Sequence, residues 1–223
     1  MKNALSLGEH SDSMAAFHRL LLQWNTRMDL TNIPPDEMYL RHYADSILPI
    51  KNQDWFFYGA SMIDVGTGAG FPGMAIAIMR PDMQICLLDA LKKRCDFLMA
   101  VVKELGLLNV QVVHARSEDA ARGDLRGYFD IATARAVASM RTLIEFLLPF
   151  LKVGGYALCW KGPGLEQDLA EAKSALFLLK GEVSENMRLD LPGYEHYVQS
   201  IKKNAPTPAL YPRKAGVAKK IPL

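Results

Sequence analysis

Apolar residues follow two different spacings along this chain, and the order of the spacings predicts the order of its elements. From residue 61 onward, short runs of apolar, β-prone residues alternate with segments in which apolar residues recur at every third or fourth position. The runs predict buried strands and the segments predict amphipathic helices. Strands are predicted at 62–65, 84–88, 110–113, 129–133 and 156–160, and helices at 74–79, 91–105, 139–151 and 164–180.

The last two apolar runs, at 183–191 and 197–203, have no helix-length segment between them. They therefore predict an antiparallel pair of strands at the edge of the sheet. The earlier strands alternate with helices through short connections, which is typical of a parallel sheet covered by helices on both faces. The predicted fold class is α/β, with a mostly parallel sheet and an antiparallel edge strand.

The first part of the chain has a helical pattern instead. Residues 11–24 place their large apolar side chains on one stripe, and a second helix is predicted from residue 36 to about Leu48, ended by Pro49. The second helix brings His42 near Asp45 and Ser46. A hydrogen-bonded helix surface or a ligand contact is favoured there over a general base. Three regions are predicted: a helical extension (1–58), an α/β domain (59–203) and a basic C-terminal tail (204–223).

A glycine-rich turn joins the first predicted strand to its helix, with glycines at 66, 68, 70 and 73. A phosphate-binding P-loop would need lysine after its last glycine, where Met74 stands, and a dinucleotide fingerprint would need glycine in place of Phe71. Asp64, at the mouth of the predicted site, would repel a pyrophosphate and attract a cation. The turn therefore favours S-adenosylmethionine, a cationic ligand without phosphate. A purely structural turn is the alternative.

Charged side chains follow the later strands, at the edge of a parallel sheet where ligands bind. Asp89 lies at the interval expected for a carboxylate that accepts both ribose hydroxyls, and Ser117 and Glu118 lie where an adenine ring would be bound. Arg135 and Lys161 are cations at the same edge. They either form ion pairs with Asp64 or Glu118, or contact an anionic substrate such as RNA.

Composition limits the alternatives. The chain has 223 residues, of which 50% are hydrophobic and 22% charged, so it can hold one α/β domain with an extension. We expect no signal peptide, no membrane span and no metal site, and the three cysteines (Cys86, Cys95 and Cys159) are predicted to be buried thiols in a reducing cytoplasm. After Glu195 the chain has six lysines and arginines and no acidic residue. This basic tail is either a solvated terminus or an arm that contacts phosphate.

Longer motifs accompany the glycine turn. They are Leu30-Thr31-Asn32, Arg41-His42-Tyr43-Ala44-Asp45-Ser46, Asp64-Val65-Gly66-Thr67-Gly68-Ala69-Gly70-Phe71-Pro72-Gly73, Leu88-Asp89-Ala90, Ala134-Arg135-Ala136, Lys161-Gly162 and Tyr211-Pro212-Arg213-Lys214-Ala215-Gly216. Over nearly its whole length the chain resembles the bacterial small-subunit ribosomal RNA methyltransferase G family. One departure is Glu195-His196, where many members resemble Arg-His, so a substrate role there is not carried over.

The resemblance implies a Rossmann-like class I methyltransferase that transfers a methyl group from S-adenosylmethionine to guanine N7 in the decoding-region loop of 16S rRNA. The expected partner is 16S rRNA or the small ribosomal subunit, and the expected enzyme is a cytoplasmic monomer. Together with the strand ends, it implies cofactor contacts at Asp64, Gly66, Gly68, Phe71, Asp89, Ala90, Leu91, Ser117, Glu118 and Arg135. RNA contacts are expected at His42, Lys161, Arg213 and Lys214.

Guanine N7 has an in-plane lone pair and no proton, so its methylation requires no general base. We therefore assign no catalytic residue, and expect Arg135 and Lys161 to hold the target nucleotide. Methylation of another RNA or of a small molecule is the alternative activity. A nicotinamide-dependent oxidoreductase conflicts with Phe71 and Asp64, and an RNA-binding protein without activity leaves the carboxylates at the strand ends unexplained.

Overall fold

A seven-stranded sheet forms the centre of the computed structural model, which describes residues 10–223. The strands are β1 (Ser61–Val65), β2 (Gln84–Asp89), β3 (Val110–His114), β4 (Phe129–Arg135), β5 (Leu151–Lys161), β6 (Gly181–Leu191) and β7 (Tyr194–Lys203). Their order across the sheet is β3-β2-β1-β4-β5-β7-β6. Strands β1 to β3 form one half of the sheet and β4 to β7 form the other, so the strand order reverses between β1 and β4. Sheets of this kind bind ligands at that point.

The first five strands are parallel to one another, and β7 is antiparallel to both β5 and β6. The predicted fold class is confirmed. One detail differs, because the antiparallel strand β7 lies between β5 and β6, and the outermost strand of that side is β6. The second strand of the hairpin lies next to β5, and its residues Val198 and Ile201 are buried there.

The helices are α1 (Ser11–Asn25), α2 (Asp45–Ile47), α3 (Gly73–Met79), α4 (Lys92–Leu105), α5 (Ser117–Ala120), α6 (Met140–Leu147), α7 (Leu165–Glu171), α8 (Lys173–Leu179) and α9 (Val217–Lys220). A π-helical turn (Tyr39–Ala44) precedes α2, and 3-10 turns (Leu48–Lys51 and Leu148–Phe150) follow α2 and α6. Within residues 10–223, every helix is too short or too polar to cross a bilayer.

Two helix predictions differ from the structure. Pro49 does not end the second predicted helix, because it lies in the first turn of the 3-10 segment Leu48–Lys51, where its missing N–H group is not needed. The helix predicted at 164–180 is divided into α7 and α8 at Ala172, whose ψ of 0° departs from the helical value. The apolar stripe still reaches the core, since Ala172 and Leu179 are fully buried.

Alternate residues of each central strand face two separate hydrophobic cores. Met62 of β1 packs with the N-terminal helices, α3 and α4, whereas Ile63 packs with α6, α8 and the C-terminal residues. Phe17 of α1 is fully buried in the first core. The described part of the helical extension is therefore a layer of the α/β domain. Residues 1–9 of the predicted extension lie outside the described residues.

The C-terminal residues 204–223, which we call the C-terminal segment, are packed against the domain. The Arg126 guanidinium donates to the carbonyl oxygens of Thr207, Pro208 and Tyr211, at 2.8, 3.3 and 2.8 Å. Arg122 donates to the Pro212 carbonyl at 2.8 Å. A solvated terminus does not fit this packing, because two arginines that are distant in sequence bind the backbone of the segment. The phosphate-contacting arm stays a prediction.

The residue just before this segment also departs from the prediction of a basic arm. Lys203 is 3% exposed, and its ammonium donates to the carbonyl oxygens of Leu148 and Leu151 at 2.8 and 2.6 Å. Burial lowers the pKa of Lys203 to about 8. The three cysteines are buried as free thiols, as predicted, and burial raises the pKa of Cys86 and of Cys159 to about 12.

Candidate functional site

A cavity of about 460 Å³ lies at the carboxyl ends of the parallel strands. Nine of the ten predicted cofactor residues line it: Gly66, Gly68, Phe71, Asp89, Ala90, Leu91, Ser117, Glu118 and Arg135. They come from the last residues of β2 and β4 and from the segments that follow β1, β2 and β3. The sheet topology thus brings together residues that are up to 69 positions apart in the sequence.

The glycine turn forms the floor of the cavity. Gly66 and Gly68 have φ values of 70° and 60°, in the left-handed region that glycine adopts at little cost. The N–H groups of Gly66 and Thr67 both donate to the carbonyl oxygen of Leu88, at 2.8 and 3.2 Å. These bonds fix the turn to the end of β2, so the backbone of the turn has a defined position beside the cavity.

Asp89, at the end of β2, is held by backbone donors. Its Oδ2 accepts from the N–H of Gly68 at 3.0 Å, and its Oδ1 accepts from the N–H of Leu91 at 2.8 Å. A carboxylate oxygen has two acceptor positions, so each oxygen can still accept a hydroxyl hydrogen. The Asp89 side chain is oriented before any ligand binds, as a contact to two ribose hydroxyls requires.

Glu118, in the first turn of α5, is the second carboxylate of the cavity. It is 4% exposed, and its Oε1 accepts from the N–H of Gly216 at 2.8 Å. The Ser117 hydroxyl lies 3.5 Å from Oε2. The predicted pair Ser117-Glu118 is therefore placed at the cavity, with a partner in the C-terminal segment that the sequence did not indicate.

Asp64 differs from its prediction. The side chain is fully buried and is not among the residues that line the cavity. Its Oδ2 accepts from the N–H of Gly73 at 2.8 Å, its Oδ1 accepts from the Thr133 hydroxyl at 2.9 Å, and burial raises its pKa. The expected contact with a cationic ligand is wrong because Asp64 points to the face of the sheet beneath α3. There it fixes the start of that helix.

Arg135, at the end of β4, connects the cavity to the helical extension. Its guanidinium donates to Asp45 Oδ2 at 2.6 Å, to the Arg41 carbonyl at 2.9 Å and to His42 Nδ1 at 2.9 Å. The expected ion pair with Asp64 or Glu118 is wrong, since Asp45 is the acidic partner. Arg135 also lies over the Phe71 ring, 5.5 Å from its centroid.

His42 lies inside the first core and not on a helix surface. It is 5% exposed and stacks on Phe71 at a centroid distance of 4.3 Å. Because Arg135 can only donate, His42 Nδ1 is the acceptor, and Nε2–H donates to the Thr31 hydroxyl at 2.7 Å. Burial, with a contribution from Arg135, lowers the pKa of His42 to about 3. His42 lines the cavity, but both ring nitrogens have protein partners, so the RNA contact stays a prediction.

Asp45 joins this network to the last strand. Its side chain is fully buried, and Oδ1 lies 2.7 Å from His196 Nδ1. The Trp160 indole N–H donates to the Asp45 carbonyl at 3.0 Å. The helix spacing predicted that His42 lies near Asp45. Their side chains do not contact each other directly, because Arg135 is hydrogen-bonded to both. His196 is thereby placed as a partner of Asp45.

The remaining predicted RNA contacts have different surroundings. Lys161 has 11% of its side chain exposed and forms an ion pair with Asp168 at 2.9 Å, so neither Asp64 nor Glu118 is its partner. Arg213 is turned inward, where it makes several hydrogen bonds to the fully buried Glu145, the shortest at 2.6 Å. A free phosphate-contacting role for Arg213 is therefore wrong. Lys214 is exposed, and its contact with RNA stays a prediction.

Several cavity residues were not predicted. Arg94, Arg116, Gly216 and Lys219 line the cavity together with the predicted set. Arg94 lies in the first turn of α4, five positions after Asp89, and its guanidinium is 3.5 Å from Asp89 Oδ2, so the strand-end argument could have included it. Gly216 and Lys219 come from the far end of the chain, and nothing in their local sequence indicates the cavity.

A family model described as rRNA small subunit methyltransferase G matches residues 10–192. The chain belongs to this family. It is 41% identical over 218 residues to a ribosomal RNA small subunit methyltransferase G of Streptococcus pyogenes serotype M12, covering 96% of this chain and 92% of the relative. It is 42% identical over 219 residues to the protein of that name from Clostridium beijerinckii, covering 96% and 91%.

Solved structures support the fold of this rRNA small subunit methyltransferase G family member. A SAM-dependent methyltransferase from Aquifex aeolicus aligns with a TM-score of 0.55 at 17% identity, covering 83% of this chain and 98% of that one. The TYW2 protein of M. jannaschii, solved in complex with AdoMet, aligns with a TM-score of 0.54 at 16% identity, covering 71% and 76%. These likenesses establish the Rossmann-like class I methyltransferase architecture.

The donors and acceptors of the cavity fit S-adenosylmethionine, the cofactor of this methyltransferase. Asp89 and Glu118 offer carboxylate oxygens with free acceptor positions to hydroxyl and amino hydrogens. Leu88 and Leu91 provide apolar surface for a purine ring, and the glycine turn allows a close approach of backbone. The hydrogen-bonding groups and the apolar surface therefore suit a ligand that carries an adenosine.

Proposed function

We propose that this protein transfers the methyl group of S-adenosylmethionine to N7 of a guanine in the decoding-region loop of 16S rRNA. The observation that carries the proposal is the convergence of the glycine turn, Asp89 and Glu118 on one cavity in a member of this family. The protein is an rRNA methyltransferase, and the proposal adds the atom, the loop and the residues.

The cofactor site consists of the nine predicted residues that line the cavity. When bound, S-adenosylmethionine supplies an electrophilic methyl group on a positively charged sulfur. Asp89 would accept the ribose hydroxyls, because its two oxygens are already oriented by Gly68 and Leu91. Ser117 and Glu118 would bind the adenine edge. Phe71 and Arg135 would complete the wall on the side of the helical extension.

Methyl transfer to N7 makes modest chemical demands on the protein. The nitrogen attacks with its own lone pair, so the enzyme has to align the reactants and exclude water. His42 is not available as a base, because Nδ1 accepts a hydrogen bond from Arg135 and burial lowers the pKa of the ring to about 3. The buried, neutral His42 therefore agrees with a nucleophile that has no proton to remove.

The substrate must expose the reactive nitrogen. In A-form RNA, N7 lies in a deep and narrow major groove, so a nucleotide in a loop or a flipped nucleotide is required. We propose 16S rRNA, either free or in the small ribosomal subunit, as the partner of a monomeric cytoplasmic enzyme. Exposed Lys214 at the rim of the C-terminal segment would contact phosphate.

Mapping the methylated nucleotide tests the proposal. Purified protein is incubated with S-adenosylmethionine and small-subunit RNA, either naked or in subunits, from cells that lack the enzyme. Borohydride reduction and aniline then cleave the RNA at N7-methylguanine, and primer extension locates the cut. We expect one new cut in the decoding-region loop. The single-turnover rate should change little with pH around 6.5, the ordinary pKa of histidine.

Two variants serve as controls for the mapping. Asp89→Ala should abolish the cut, because the ribose loses its carboxylate partner, whereas Asp96→Ala should retain it. Asp96 lies on the next helix and forms an exposed ion pair with Lys92. A methyl group on an exocyclic amine, on a ribose hydroxyl or on a free metabolite would contradict the proposal.

A further inference from the structure

The C-terminal segment forms the side of the cavity that contains Glu118. Gly216 and Lys219 both line the cavity, and the N–H of Gly216 donates to Glu118 Oε1 at 2.8 Å. Glu118 is 4% exposed, so this bond satisfies a nearly buried carboxylate. A backbone donor 98 residues away in sequence thus sets the orientation of a side chain that the cavity offers to a ligand.

Strong contacts hold the segment on both sides of Gly216. Before it, Arg213 binds the fully buried Glu145 through Nε, Nη2 and its backbone N–H, at distances between 2.6 and 3.1 Å. After it, the Thr142 hydroxyl donates to the carbonyl oxygen of the fully buried Ala218 at 3.2 Å. Both anchors belong to α6. The backbone of Gly216 is therefore held in place between two fixed points.

The conformation of Gly216 favours glycine for a backbone reason. Its φ is 83°, in the left-handed region, and a Cβ atom added there would meet no atom within 4 Å. Replacement by alanine would strain the backbone without a clash. Strain at this position would therefore shift the N–H group that donates a hydrogen bond to Glu118.

We propose that residues 213–219 are part of the cofactor site and form the wall of its adenine side. Gly216 is a positioning residue that acts through Glu118. Lys219 lines the cavity and is exposed, so its methylene groups would cover the base while its ammonium stays in solvent, a common arrangement for lysine. This inference rests on the cofactor site proposed above, and it assigns to the basic C-terminal segment a role on the inside of the protein.

A pair of glycine variants tests the positioning role. Gly216→Ala should weaken the binding of S-adenosylhomocysteine by about tenfold in calorimetry, which corresponds to about 1.4 kcal/mol. The matched control is Gly193→Ala, in the turn between β6 and β7, which has a φ of 76° and also no atom within 4 Å of an added Cβ. It imposes the same backbone strain away from the cavity, and we expect wild-type affinity.

A pair of lysine variants tests the wall. Lys219→Ala should weaken S-adenosylhomocysteine binding several-fold, whereas Lys220→Ala, whose side chain is exposed and outside the cavity lining, should not. The loss should be of the same size for 5′-methylthioadenosine, which keeps the adenosine and lacks the amino-acid carboxylate. A loss confined to S-adenosylhomocysteine would overturn the adenine-side assignment.

The outcomes distinguish this inference from the proposed cofactor site. If the wild-type protein does not bind S-adenosylhomocysteine, the cofactor site itself is refuted. If the wild type binds and both Gly216→Ala and Lys219→Ala bind equally well, only the role of the C-terminal segment is refuted. Circular dichroism of each variant shows whether it is folded. If Gly216→Ala unfolds, the binding of S-adenosylhomocysteine and 5′-methylthioadenosine to the two lysine variants still tests the role of the segment.

Discussion

Phe71 contacts two side chains of the buried network, one neutral and one cationic, that are hydrogen-bonded to each other. The neutral His42 ring stacks on it in a nearly parallel arrangement, with an interplanar angle of 5°, and the Arg135 guanidinium lies over it at 5.5 Å from its centroid. Burial and the hydrogen bond that Nδ1 accepts from Arg135 both favour the neutral form of His42. A single aromatic residue of the glycine turn thus couples the cavity to the buried network of the helical extension.

His42 gives the protein a defined sensitivity to acid. The unfolded chain binds a proton at His42 below a pH of about 6.5, whereas burial holds the pKa in the folded protein at about 3. The folded state therefore loses stability as the pH falls from 6.5 towards 3, by about 1.4 kcal/mol for each pH unit. Between pH 7 and pH 5 the contribution is about 2 kcal/mol.

His42→Gln should reduce this loss, because glutamine can replace both hydrogen bonds and does not titrate. Urea unfolding at pH 7 and at pH 5 measures the difference for each protein. The exposed His114 provides the control, and His114→Gln should keep the wild-type pH dependence. Equal pH dependence in His42→Gln and the wild type would show that His42 is not neutral in the folded protein.

Asp45 provides a second prediction at the residue scale, for stability and cofactor binding. Its fully buried carboxylate neutralises Arg135, whose side chain is 13% exposed. Asp45→Asn keeps the shape and removes the charge, so the guanidinium remains buried without a counter-ion. We expect a loss of about 3 kcal/mol in unfolding free energy, together with weaker cofactor binding. Asp190→Asn, at an exposed position on β6, should change neither quantity.

At the scale of elements, the C-terminal segment has an inner and an outer side. Arg213 is bound to Glu145 on the inner side, and Lys214 is exposed beside it. If Lys214 contacts RNA phosphate, Lys214→Ala should make the dependence of log affinity on log salt shallower by about 0.7. Filter binding at several salt concentrations measures the slope.

Lys103 offers a control for the salt dependence. It is exposed near the end of α4, which runs from the cavity edge of the sheet to the opposite edge, so Lys103→Ala should keep the wild-type slope. An unchanged slope in Lys214→Ala would show that Lys214 does not contact RNA phosphate. Arg213→Ala is unsuitable for this test, because it would leave the buried Glu145 carboxylate unpaired.

Local patterns were sufficient for the elements and for much of the site. The alternation of apolar spacings predicted the strands, and the position of Asp89 after β2 placed its carboxylate at the cavity. Asp64 was misplaced because strand register, not proximity to the glycines, decides which face a side chain occupies. The Arg213–Glu145 and Arg135–Asp45 pairs could not be predicted, since each joins residues 68 or more positions apart.

At the scale of the whole molecule, the helical extension and the α/β domain share one core. The Phe17 ring of α1 is fully buried, with its centroid 5.2 Å from that of Phe71 and 6.4 Å from that of Phe97. Phe17→Ala should therefore cost about 3 to 5 kcal/mol of unfolding free energy. Denaturant titration measures the loss for the intact chain.

The chain contains a matched control for this substitution. Phe177 on α8 is 74% exposed, and Phe177→Ala should change the unfolding free energy by no more than about 0.5 kcal/mol. Equal stabilities of the two variants would show that the extension is a separate unit. That result would support the predicted boundary at residues 58 and 59 as a folding boundary.

The bond between Glu118 and Gly216 has a consequence for synthesis of the protein. A nascent chain emerges from the ribosome with its amino end first, so residues 213–219 emerge after all seven strands. The strands can begin to pair earlier, but the wall at Glu118 cannot form until residues 213–219 have emerged. A newly made molecule should therefore acquire its cofactor only after residues 213–219 have left the ribosome.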